Sequence, residues 1–158
     1  MRIRIATVAG ALLLATLAAC SSGGSEAKSK APSPAPSPKA SKLAALGPAW
    51  QPKLDAAAKD SVAICMTPSS SSCATVLTDI MLVVHDIEDE IAEPGRGPYP
   101  ESTAQIAKMQ DATDEYVAEG CQGDPAADDP NSQCWGIDAI TVGAATLGMT
   151  LNTDDLHQ

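Results

Sequence analysis

The sequence predicts an all-α protein: a small up-down bundle of three to four helices, stapled by two disulfides and preceded by a disordered stalk. Three observations lead there. Aromatic residues make up only 3% of the 158 and Phe is absent, so the core must be built from Leu, Ile, Val, Met and Ala. That is poor material for a small β-sandwich or barrel. Apolar positions beyond residue 43 recur at helical spacing, and four cysteines fall beside the expected helix ends. An apolar content of 44% excludes wholesale disorder, and the length allows one ordinary domain plus tails.

The first element is an address label. Met1-Arg2-Ile3-Arg4 precedes an apolar run from Ile5 to Leu17, and Ala18-Ala19-Cys20 follows. A basic start, a short apolar stretch and small residues before a cut site describe a secretory signal, too short for a transmembrane helix. The tetrad Leu17-Ala18-Ala19-Cys20 resembles the lipobox of bacterial lipoprotein precursors. The resemblance covers only the first two dozen residues. It implies that residues 1–19 are removed, that the Cys20 thiol receives a diacylglyceryl group, and that acylated Cys20 anchors the protein at the extracytoplasmic face of a cell membrane. Two or more acyl chains anchor stably where one would be marginal.

Residues 20–42 are expected to form the stalk. Ser21 to Lys42 is mostly Ser, Gly, Ala, Pro and Lys, with Pro32, Pro34, Pro36 and Pro38 in alternation. Without large apolar side chains it has nothing to build a core from. Lys28, Lys30, Lys39 and Lys42 against Glu26 give it a net charge of +3. Residues 43–158 carry Lys53, Lys59, Arg96 and Lys108 against 19 acids, a net of -15. A basic stalk is favoured beside an anionic lipid surface, and an acidic body is pushed away from it. The overall charge of -10 excludes general nucleic-acid binding through a basic surface.

Within the body, a first helix is expected over Trp50, Leu54, Ala57, Ala58 and Val62, with Pro48 and Pro52 crowding its start. In the next, Cys73, Leu77, Ile80, Val84, Ile87 and Ile91 follow a 4-3-4-3-4 seam, with Asp79, Asp86 and Asp89 opposite. Pro94-Gly95-Arg96-Gly97-Pro98 then turns the chain. Pro100 suits the first position of a third helix, whose seam is Ile106, Met109, Thr113, Tyr116 and Gly120, with Gly120-Cys121-Gln122-Gly123 as its stop. A fourth is expected from about Gln133 to Asn152 through Ile137, Ile140, Ala144, Leu147 and Leu151. It is apolar on most faces, which suggests the middle of the packing.

Up-down topology brings Cys65, Cys73, Cys121 and Cys134 to one end of the bundle. Export permits disulfides, and four cysteines allow three connectivities. Cys65–Cys73 and Cys121–Cys134, each stapling one corner, are preferred over the crossed pairings.

Sites of chemistry are sparse. No G-x-S-x-G elbow occurs, the histidines are His85 and His157 alone, and the cysteine intervals are too wide for C-x-x-C redox or zinc motifs. No enzyme activity and no cofactor are expected. Asp124, Asp128, Asp129 and Asn131 pack oxygen ligands densely enough to raise calcium, but the Asp-x-Asp-x-Asp-Gly order is missing, and Asp129 or Ser132 serves equally as a helix cap. Asp154-x-x-His157 lies at a terminus expected to fray. Gly136, Ala139 and Gly143 suggest either a ligand slot or close helix packing. The functional expectation is a membrane-anchored binding or structural module that meets a cationic protein or ligand through its acidic body. A calcium- or ligand-binding lipoprotein is the alternative.

Overall fold

The computed structural model describes residues 43–158. The expected signal peptide, Cys20 and the expected stalk lie outside the described residues.

The body is all-helical. It comprises α1 (Leu46–Ala57), α2 (Ser61–Ile64), α3 (Ser71–Ile91), α4 (Pro100–Ala118), α5 (Asp138–Thr141) and α6 (Gly143–Leu156), with 3-10 turns at Pro125–Asp128 and Gln133–Ile137. The four long helices form a ring in which each chain neighbour packs beside the next and α6 returns against α1. The core is the one the seams predict. Cys73, Leu77, Ile80, Val84 and Ile87 of α3 are buried against Ile106, Met109 and Tyr116 of α4 and Ala144, Leu147 and Leu151 of α6. Leu46, Trp50 and Leu54 complete it from α1.

Several expectations need correction. The first helix stops at Ala57, because Asp60 takes a left-handed conformation (φ 58°) that ends α1 and restarts the chain as α2. Val62 is therefore 55% exposed instead of joining the seam. Pro48 falls within the first turn of α1, where a missing N–H costs nothing, and Pro52 is tolerated on the exposed face. Gly120 lies beyond α4 with φ 64°, a turn glycine that reverses the chain.

The last helix is not one rod from Gln133. Its first turn is 3-10, Asp138–Thr141 forms a separate segment, and α6 continues past Asn152 to Leu156. Its seam does lie in the middle of the packing: Ile137, Ile140, Ala144, Leu147 and Leu151 are at most 2% exposed and the stretch packs against α1, α3 and α4, while Val142, Met149 and Leu156 are more than half exposed. Although residues 133–156 are apolar and long enough to cross a membrane, half of that stretch is buried in the body, as suits a core helix.

Both preferred disulfides are present. Cys65 and Cys73 are joined across the α2–α3 corner, and Cys121 and Cys134 across the loop between α4 and α5.

Candidate functional site

Three features stand out once the side chains are placed: a sewn disulfide end, a carboxylate clamp at the opposite end, and a groove between α3 and α4.

At the disulfide end the two corners are tied together. The Gly123 amide donates to the Ser69 carbonyl at 2.8 Å. The Ser69 amide and hydroxyl donate to the two Asp128 oxygens at 2.9 and 2.8 Å. Tyr116 donates its hydroxyl to the Pro68 carbonyl at 2.7 Å. Burial, helped by the Asp128 charge, raises the pKa of Tyr116 above the ordinary tyrosine value.

This geometry gives each residue raised for calcium a structural partner. Asp124 caps a 3-10 turn through the Ala126 amide, and Asp128 holds Ser69. Asp129 accepts from the Asn131 amide at 2.8 Å and from its side chain at 3.0 Å, which lowers the Asp129 pKa. Ser132 caps the next turn at Cys134. Among the described residues no group of three or more His, Cys, Asp or Glu side chains is placed to hold a metal ion.

Of the small residues raised as a slot, Gly136 and Ala139 are exposed, and Gly143 serves close packing. A Cβ on Gly143 would stand 2.9 Å from Gln105 Nε2 and 3.0 Å from Met109 Cγ. No slot remains there.

The opposite end is where sequence reasoning missed most. Neither Ala45 nor Tyr99, the residues preceding α1 and α4, caps its helix with a side chain. Two consecutive residues of α6 do so instead. Asp154, only 2% exposed, accepts from the Ser102 amide at 2.9 Å, the Ser102 hydroxyl at 2.7 Å and the Glu101 amide at 3.4 Å. Asp155 accepts from the Leu46 and Gly47 amides at 3.1 and 2.7 Å and from the Tyr99 hydroxyl at 2.6 Å. Acids near a helix C-terminus oppose that helix's own dipole. Here the antiparallel ring sets them against the N-termini of α1 and α4, where free amides want anions. The terminus expected to fray is thus a clamp.

Arg96 completes that end, with its side chain 6% exposed. It donates to the Glu90 carbonyl at 2.7 Å and the Ala44 carbonyl at 2.9 Å, and pairs with Glu93 at 3.5 Å. Glu90 also accepts from Trp50 Nε1 at 2.9 Å, while Lys53 lies over the Trp50 ring at 3.5 Å. Desolvation, followed by the Asp155 hydrogen bond, raises the Tyr99 pKa.

The groove arises because α3 and α4 meet less closely than α1 and α6, or α4 and α6. Ile140 of α5 enters between them and forms part of the floor with Leu77, Met81 and Tyr116. Thr78, Leu82 and His85 line the α3 side, and Thr113 and Val117 the α4 side. The cavity measures about 310 Å³ and is open to solvent on one side. Gln110 donates to Glu88 at 2.9 Å across the two helices, and His85 stands 3.5 Å from the same carboxylate. Leu82 and Val117 are 59% and 71% exposed on the two lips. No periodicity announces such a space, since it comes from the splay of two helices.

No protein-family model matches this sequence, and no curated protein or solved structure is significantly similar to it.

Proposed function

We propose that the chain is the precursor of a lipid-anchored extracytoplasmic protein whose body is a binding module of the cell envelope, with the α3–α4 groove as its binding face. The anchoring half rests on the charge, apolar run and lipobox that end at Cys20. The binding half rests on one observation: a concave, largely apolar groove opens beside two exposed apolar side chains, Leu82 and Val117. Exposed apolar surface next to a preformed cleft is characteristic of a recognition site. The stalk then serves as spacer between membrane and body.

Two measurements test this. Mass spectrometry of the mature protein should find acylated Cys20 at its N-terminus, and Cys20→Ser should leave an uncleaved precursor. Methyl NMR of Leu77, Met81, Leu82 and Ile140 should respond when solubilised envelope fractions are added. An unmodified N-terminus elsewhere defeats the anchoring half, and unresponsive groove methyls defeat the binding half.

A further inference from the structure

Carboxylates stand along the outer sides of both groove helices. Along α3, Thr75, Asp79, Leu82, Asp86 and Asp89 follow 4-3-4-3 spacing and form one outer row, all of them exposed. On α4, Gln110, Asp114 and Val117 form the facing row. Each lip thus presents one exposed apolar side chain beside carboxylates. No Lys or Arg occurs in α3, and Lys108 of α4 points about 160° away from the Thr113–Val117 side of its helix. Floor and lips together combine an apolar trough with an acidic border.

We propose that this groove takes an amphipathic basic peptide segment of a partner protein, seating apolar side chains on Leu77, Met81 and Ile140 while its Lys or Arg side chains meet Asp86, Glu88, Asp89 and Asp114. The inference rests on the groove being the binding face. Charge complementarity selects this occupant. A second copy would bring acidic lips against acidic lips, and an anionic lipid surface would be repelled in the same way. The chain's own Ser21–Lys42 segment has the right charge but no large apolar side chain to fill the floor. A helix laid in a groove with apolar anchors at i, i+3 and i+4 meets both requirements.

The test uses the mature, acylated protein in neutral nanodiscs and a fluorescent 14-residue Leu/Lys amphipathic helix as probe. Binding is expected to weaken roughly tenfold from low to high salt, because screening shortens electrostatic reach to a few ångströms near 1 M. It should be lost when the probe's Leu residues become Ser, and fall at least about tenfold when its Lys residues become Glu. Val117→Ser and Leu82→Ser should each weaken it several-fold while thermal unfolding stays unchanged, since both side chains are exposed. Asp86→Asn with Asp114→Asn should weaken it, whereas Asp55→Asn on α1 should not. Equal binding of the Glu probe, or binding unaffected at Val117 and Leu82, overturns the proposal. Tight, salt-insensitive uptake of an uncharged apolar dye in place of the peptide also overturns it, and assigns the groove to a small ligand. Failure of the probe while envelope fractions still shift the groove methyls rejects the basic-peptide chemistry alone and leaves the binding module standing.

Discussion

The two ends of the bundle are held together by different means. At one end, Cys65–Cys73 and Cys121–Cys134 close short local loops covalently. At the other, Asp154 and Asp155 reach residues 52 to 109 positions away through hydrogen bonds alone. A staple works mainly by restricting the unfolded chain, whereas a carboxylate clamp acts only once the helices have assembled. The first secures corners; the second secures the order of the ring.

Removing both bridges should produce the largest loss. Each closes a short loop, and deletion of such a bridge typically costs about 2–4 kcal/mol. Urea unfolding of the four-serine variant should show the combined effect, and thiol labelling of the unfolded, unreduced protein should find no free cysteine in residues 43–158. Two or more labelled thiols would break the comparison outright.

Asp154→Ala should come next, at about 2–4 kcal/mol, because it strands the amide and hydroxyl of Ser102, a residue 0% exposed. Asp154→Asn keeps one acceptor and should lose less. If Asp154→Ala costs no more than a surface substitution, the clamp is dispensable and the disulfide end alone governs stability.

High pH reports on both ends at once, since the two tyrosines of the chain, Tyr99 and Tyr116, sit one at each. Both ionise less readily folded than unfolded. Their contribution is therefore complete below the ordinary value of 10.0 and is lost as pH rises above it. Tyrosinate absorbance should lag behind that of the unfolded chain, and melting temperature should fall through the same range. Tyr99→Phe and Tyr116→Phe should each cost about 1 kcal/mol at neutral pH.

The smallest effect is expected at Ser132→Ala, about 0.5–1 kcal/mol by loss of one cap at Cys134. With the adjacent bridge intact, the turn should remain formed, as judged by slow amide exchange at Cys134. A larger loss would mean that the staple depends on its cap.

Much of the fold was legible because its causes are local. The 4-3-4-3-4 run from Cys73 to Ile91 and the turn signals at Pro94–Pro98 and Gly120–Gly123 are contained within single segments. The bridges were legible because helix ends and cysteines coincide. The break at Asp60 was not, since Lys59-Asp60-Ser61 has neither Gly nor Pro to mark it. The clamp escaped for the opposite reason. Asp154 and Asp155 look misplaced at a helix C-terminus until the N-termini of α1 and α4 are brought beside them. Of the candidate site, the acidic row of α3 was visible in the sequence, but the α4 row and the trough between them depend on how α3 and α4 stand apart.

The residues through which the chain enters the body carry a mechanical consequence. Ala44 is held by Arg96 from the α3–α4 turn, and the amides of Leu46 and Gly47 are held by Asp155 from α6. A tug arriving along the chain from residue 42 cannot peel α1 away one turn at a time. It must first pull against bonds to two other parts of the ring, so the strain spreads at once over the whole cross-section of the bundle. A protein tethered at that point would resist shear at its base, with the α3–α4 turn and α6 sharing the load before α1 could unwind.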